Sequence, residues 1–127
     1  MQERNLYEYA VLRYVPKVER EEFLNVGLAM MCKRRRWLRV RILIPERRIA
    51  AMSPDTDITA LASQLKAFAD IAEGIRESGP IAAYPVEERF RWISAVKSSV
   101  IQTSRPHPGI CDDLDATFSR LFAELVE

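Results

Sequence analysis

Two strand-like segments on either side of a short basic tip constrain the fold of this chain most strongly. The segments are 25–32 (NVGLAMMC) and 37–44 (WLRVRILI), and the second alternates regularly between apolar and polar positions. Alternation with a period of two is typical of a strand with one buried face. Two such segments joined by a polar tip predict a β-hairpin.

The alternation also limits the register of this hairpin, because residues that face each other share a face of the sheet. An odd-length tip, such as 34–36, makes one face wholly apolar, whereas an even-length tip places arginines beside Leu28 and Met30. We therefore predict an odd tip or a bulge. The expected pairs are Leu28 with Ile42, Met30 with Val40, and Cys32 with Leu38.

The remaining sequence predicts one strand before the hairpin, then helices and a further strand after it. The first strand covers 7–15 and ends at Pro16. Apolar residues at three- and four-residue steps predict an amphipathic helix over 57–77. Gly79 and Pro80 should stop this helix. The N-terminal cap of this helix is expected to be Asp55, Thr56 or Asp57.

A second, short helix is predicted to begin at Pro85, followed by a brief strand over 99–103 and a last helix from Asp112 or Asp113. The order β-β-β-α-α-β-α predicts an α+β fold with a mostly antiparallel sheet and with helices packed on one face. The uncovered face would then carry Trp37, Arg39 and Arg41.

Length and composition favour a single domain over 1–127, with 48% hydrophobic and 29% charged residues. We expect no secretory signal and no membrane segment, because no apolar run approaches the ~20 residues of a membrane span. Cys32 and Cys111 lie far apart without metal-ligand spacing, which indicates two ordinary buried or half-buried thiols in a reducing cytoplasm. No pattern indicates a cofactor or a metal site.

Basic residues are concentrated in one segment, although the formal net charge is only +1. Eight of the nineteen fall within 33–48. A cationic surface of this density attracts acidic proteins, phosphates or nucleic acid over about 8–10 Å in physiological salt. The residues predicted to contact a partner or a phosphate are Arg13, Asn25, Arg34, Arg35, Arg36, Trp37, Arg39 and Arg41.

A second candidate site is the segment 104–113, which contains the only histidine of the chain. Catalysis by a Cys–His pair requires hydrogen-bond geometry that adjacency in sequence does not supply. We favour a helix-capping role for the carboxylates of this segment. The members of the candidate loop are His107, Cys111, Asp112 and Asp113.

Two further features have competing interpretations. The run Glu19, Arg20, Glu21 and Glu22 is typical of a solvated connector rather than of paired catalytic carboxylates. Glycine within a strand often marks a bulge or a close approach of another backbone or ligand, and a bulge is the favoured interpretation of Gly27.

Several strings along the chain resemble the bacterial family known as domain of unknown function 3037. They are YAVLRYVP at 9–16, EREEFLNVGL at 19–28, GPI at 79–81, RFRW at 89–92, SSVIQ at 98–102 and HPGICDD at 107–113. The resemblance implies a small stand-alone cytosolic protein encoded near kinase-like toxin proteins. It therefore favours a protein partner and supplies no catalytic residues.

Two functional hypotheses follow. The first is a non-enzymatic interaction module whose basic hairpin and sheet face, 34–41, dock an acidic protein. The second is a nucleic-acid or nucleotide-phosphate binding or processing protein, which requires the His107 loop to fold beside Arg13 and Arg39. Self-association through sheet edges or the hairpin stays open.

Overall fold

The computed structural model describes residues 4–95 and 100–127. Within these ranges it has an antiparallel β-sheet and four α-helices, so the predicted α+β class is confirmed. Three short 3₁₀ turns lie at Val18–Arg20, Arg76–Ser78 and Pro80–Ala83. The main elements are β1 Asn5–Tyr14, β2 Leu24–Cys32, β3 Trp37–Ile42, α1 Glu46–Met52, α2 Ile58–Glu73, α3 Val86–Ala95, β4 Ile101–Thr103, β5 His107–Cys111 and α4 Leu114–Leu125.

The sheet is built around β1 and β2. Its order is β3-β2-β1-β4, and β5 also pairs with β1. β4 pairs with the end of β1 and β5 with its beginning, so the two short strands occupy successive parts of one edge. Ser104 joins them, since its backbone N–H donates to the Val11 carbonyl and its hydroxyl accepts from the Val11 N–H, both at 2.9 Å.

Helices cover both faces of this sheet, which differs from the expected one-sided packing. The α2/α3 face contains Leu12, Ala29 and Met31, which pack with α1, α2 and α3. The α4 face contains Leu28 and Met30, which pack with α4. The reason is that β2 is apolar at successive positions and therefore has two faces to bury.

The predicted hairpin register is wrong. The tip has four residues, and the pairs at its base are Cys32 with Trp37 and Met31 with Leu38. Leu28 therefore lies opposite Arg41, and Met30 opposite Arg39. An arginine face is tolerated because both side chains stay exposed, with the Arg39 guanidinium over the Trp37 ring and the Arg41 guanidinium over two rings of α4.

Local signals at the helix ends were partly correct. Asp57 caps α2 and accepts a hydrogen bond from the Ala60 N–H at 3.0 Å, as one of the alternatives predicted. The helix ends at Gly74 rather than at Gly79, because Gly74 adopts a left-handed conformation with φ 73° and closes the last turn.

Helix α1 and strand β5 were not predicted. The predicted start of β4 at Ser99, and Ser98 in the family-like string, lie outside the described residues.

The bulge predicted near Gly27 is confirmed. Leu12 pairs with Gly27 but Arg13 pairs with Asn25, so Val26 is the additional residue. Both cysteines are free, Cys32 buried and Cys111 half-buried, as predicted. No helix in the described ranges is both long and apolar enough to cross a membrane.

Gly27 is required by the close approach of three strands. A Cβ atom at this position would lie 2.9 Å from Ile42 Cδ1 and 3.0 Å from both the Arg41 carbonyl oxygen and Leu12 Cδ1. We expect Gly27→Ala to lower the free energy of unfolding by about 1–3 kcal/mol, because the Arg41 backbone has to move. Urea denaturation measures this, and an unchanged midpoint would contradict the steric role.

Candidate functional site

The hairpin tip, residues 33–36, projects four cationic side chains from one end of the sheet. All four are exposed. The Arg36 N–H donates to the Lys33 carbonyl at 3.1 Å, and Arg36 has a left-handed conformation with φ 52°. Arg35 Nε donates to Asn5 Oδ1 at 2.8 Å, which ties the tip to the start of β1. The tip is therefore an ordered surface.

The predicted residues of β3 lie beside α4. The Arg39 guanidinium carbon is 5.4 Å from the centre of the Trp37 indole, and the indole meets Phe118 edge-on at 6.0 Å. Arg41 lies 5.1 Å from the Phe118 ring centre and 5.2 Å from that of Phe122. These cation–π contacts give Arg41 a packing role in the attachment of α4.

Arg13 and Asn25 share the α4 face with Arg39 and Arg41, as the pairing shows. Asn25 Nδ2 donates to the Leu125 carbonyl at 2.8 Å, which binds the last turn of α4 to β2. The Arg13 guanidinium lies 4.2 Å from the Phe23 ring centre. Arg13 Nε and Asn25 Oδ1 are both buried without a hydrogen-bond partner among the described residues. Asn25 therefore holds the end of α4, and Arg13 packs against Phe23.

The candidate loop around His107 is mostly strand β5. The His107 ring stacks on Tyr9 with centroids 5.1 Å apart. Cys111 is four residues further along the strand, about 13 Å at 3.3 Å per residue, so the imidazole and the thiol are not hydrogen-bonded. Asp113 Oδ1 accepts from the Ala116 N–H at 3.0 Å, which confirms the capping role for this carboxylate.

Asp112 contributes to this region through its backbone, since its carbonyl accepts a hydrogen bond from Asn5 Nδ2 at 3.2 Å. Its side chain is exposed. Across the described ranges, no group of three or more His, Cys, Asp and Glu side chains is placed to hold a metal ion.

The structure does not place the His107 loop beside Arg13 and Arg39. His107 pairs with Tyr9, Tyr9 with Met30, and Met30 with Arg39. Two strands thus separate His107 from Arg39, which corresponds to about 14 Å at the usual strand spacing. Met30 is fully buried between them under α4. The arrangement required by the second hypothesis is therefore absent from these residues.

A groove that the sequence did not predict lies on the other side of the hairpin tip. Three pockets of about 590, 160 and 410 Å³ share Lys33, and together they form what we call the tip groove. It extends from Tyr84 at the start of α3, past Glu87 and Glu8, to Leu6 on β1. Among residues 4–95 and 100–127, the helices of the α2/α3 face leave this corner of the sheet open.

The tip groove is strongly cationic. Glu8 and Glu87 are its two carboxylates. Lys33 and Arg36 have no ion-pair partner among the described residues. The cationic side chains of the lining are Arg4, Lys33, Arg34, Arg36, Arg89 and Arg91.

Apolar side chains lie at both ends of the tip groove. Tyr84 is 45% exposed at one end and Leu6 is 70% exposed at the other. Leu6 pairs across the strands with Ile110, which is 55% exposed. The sequence analysis missed this exposed pair, because the first strand was predicted to begin at Tyr7 and the partner strand β5 was not predicted.

Arg41 should contribute to stability more than Arg39. We expect Arg41→Gln to lower the free energy of unfolding by about 1–2 kcal/mol, because it removes contacts with two rings of α4. Arg39→Gln, which removes one exposed contact with Trp37, should cost less than about 1 kcal/mol. Chemical denaturation of both variants measures the difference, and equal midpoints would show that Arg41 does not hold α4.

Comparison with known proteins identifies a matching protein family but no individual similar protein. A protein-family model described as "Protein of unknown function (DUF3037)" matches residues 9–126. No curated protein and no solved structure matches the chain.

Proposed function

We propose, from the premise that the chain belongs to the DUF3037 family, that it is a non-enzymatic interaction module that binds an acidic, extended segment of a partner protein in the tip groove. The observation that carries this proposal is the coincidence of two cations without an ion-pair partner among the described residues, Lys33 and Arg36, with exposed apolar side chains along the same groove. A kinase-like protein encoded nearby, which the family resemblance implies, is one candidate partner.

Charge supports an acidic occupant. Lys33 and Arg36 line the groove and have no ion-pair partner among the described residues, whereas the whole chain has a formal net charge of only +1. Complementary charge steers a partner toward the groove over about a Debye length and disfavours basic competitors.

Shape is compatible with an extended segment. The pocket beside Glu8 and Glu87 has a volume of about 160 Å³, whereas the other two have volumes of about 590 and 410 Å³. An extended chain would pass over the narrow part and place side chains in the two larger pockets.

The exposed apolar residues supply anchor positions for such a segment. Binding energy at protein interfaces is concentrated in a few well-buried contacts, surrounded by charges that set specificity. Leu6 and Tyr84 are the large hydrophobic residues that are exposed in the described lining of the groove. An acidic segment with apolar residues matching these ends would cover both.

Nucleic-acid binding is the second candidate function, and Arg39 with Trp37 favours it. A guanidinium group over an indole on the exposed flank of β3 can contact a phosphate beside a stacked base. The area available is small, because α4 covers the centre of this face. The tip groove therefore supports the first function better.

The proposal predicts that charge reversal at Lys33 and Arg36 weakens binding of an acidic peptide by about tenfold or more. The probe is a fluorescein-labelled ten-residue peptide of Glu and Asp with one central Phe, titrated with the full chain at moderate salt and followed by anisotropy. Lys33→Glu with Arg36→Glu is the test variant. Lys17→Glu with Arg47→Glu makes the same change in net charge away from the groove and should retain affinity.

A second comparison tests the apolar anchor and the competing function. Leu6→Ala should lower the affinity for the same peptide. It should not shift the thermal unfolding transition, since Leu6 is largely exposed. Single-stranded oligothymidylate of equal charge should bind less tightly than the peptide. Absence of peptide binding, or tighter oligonucleotide binding that is lost in Arg39→Glu, would overturn the proposal.

A further inference from the structure

A second cationic groove lies at the opposite end of the sheet. It has a volume of about 560 Å³ and is formed by the turn after β1, the start of β2 and helix α1. Leu24, at its base, is eight residues along β2 from Cys32 at the hairpin tip, about 26 Å at 3.3 Å per residue. We call it the α1 groove, and it shares no lining residue with the tip groove.

The charges of the α1 groove are only partly compensated. Lys17, Arg20 and Arg48 line it together with one carboxylate, Glu22. Glu22 accepts a hydrogen bond from Arg20 Nε and forms an ion pair with it, which raises the pKa of Arg20 above its ordinary value. Lys17 and Arg48 have no ion-pair partner in the described part of the chain. Two uncompensated cations therefore face one groove.

The backbone that carries two of these cations is ordered. The Arg20 N–H donates to the Lys17 carbonyl and the Glu21 N–H to the Val18 carbonyl, both at 3.1 Å. Arg48 stands on α1, which is attached to the core by Ile49, a residue only 1% exposed. The cations thus project from fixed positions, which reduces the ordering that binding requires.

The groove also has an apolar part. Pro16, Leu24 and Met52 are half-buried lining residues. A volume of about 560 Å³ lies within the range of about 300–1,000 Å³ that is typical of small-molecule sites. A bare inorganic anion would leave this apolar part exposed to water, whereas a ligand with an organic part would cover it.

We propose that the α1 groove binds a small organic phosphate. The phosphoryl group lies between Lys17 and Arg48, whose ammonium and guanidinium donors suit phosphate oxygens. The organic part rests on Leu24 and Met52. This site is independent of the proposed peptide-binding function, because it uses a different end of the sheet.

The test uses phenyl phosphate, inorganic phosphate and phenol as probes, titrated into the full chain and followed by two-dimensional NMR of the backbone amides. Phenyl phosphate should bind saturably and at least about fivefold more tightly than inorganic phosphate, because its ring covers the apolar part. Phenol should bind at least about tenfold more weakly, because it lacks the anion. The perturbed amides should be those of 17–24 and 48–52.

Variants then locate the phosphoryl contact. Arg48→Gln and Lys17→Gln should each lower the affinity for phenyl phosphate by about fivefold or more. Arg47→Gln, on the same helix but outside the lining, should leave affinity unchanged. Arg48→Lys, which keeps the charge, should retain part of the affinity and controls for damage to α1.

Three results would overturn the proposal. They are no saturable binding at ligand concentrations up to tens of millimolar, equal affinity for inorganic phosphate and phenyl phosphate, and binding that is lost in Lys33→Glu with Arg36→Glu but kept in Arg48→Gln. The last result would move the anion to the tip groove and leave the α1 groove without a ligand.

Discussion

The burial of β2 on both faces is the constraint on which the rest of the structure depends. Leu28, Met30 and Cys32 on one face are fully buried, and Ala29 and Met31 on the other are at most 5% exposed. Removing one such large apolar side chain from water stabilises the fold by about 1.5–3 kcal/mol. A helix layer on a single face would leave half of this strand in water. The helices therefore divide between the two faces, and α4 is the one that covers the second.

The attachment of α4 decides which cations are available to a partner. Phe118 and Phe122 place rings beneath the Arg41 guanidinium, and Asn25 binds the Leu125 carbonyl at the end of the helix. The arginine-bearing face of β3 is consequently part of a packing contact rather than a free platform. On the opposite face the helices stop short of Leu6, which stays 70% exposed beside the hairpin tip. The open cationic surface lies there.

Local signals in the sequence were sufficient for the strands of the hairpin, because each depends on a few adjacent residues. They narrowed the helix caps to two or three neighbouring positions each, among which the structure has Asp57 and Asp113. The register was wrong because we assumed one polar face, although the run LAMMC at 28–32 is the continuous apolar pattern of a strand buried on both sides. Strand β5 was missed because Pro106 and Pro108 suggested a loop, yet proline is tolerated in edge strands. The tip groove joins β1, the hairpin tip and α3, so no local pattern could reveal it.

The distance between the cations of the tip groove and those of the α1 groove determines whether binding in one groove affects binding in the other. Leu24, at the base of the α1 groove, and Cys32, beside the hairpin tip, are separated by about 26 Å along β2, which is two to three Debye lengths in physiological salt. An anion in the α1 groove therefore changes the potential at the hairpin tip very little.

Any coupling between the grooves has to be mechanical, through the paired strands β2 and β3. Gly27 lies on that path, because its closeness to Ile42 and to the Arg41 carbonyl fixes how the two strands pack. A rigid contact at this position transmits displacement poorly unless the pairing itself shifts. The two surfaces are thus expected to bind their ligands additively.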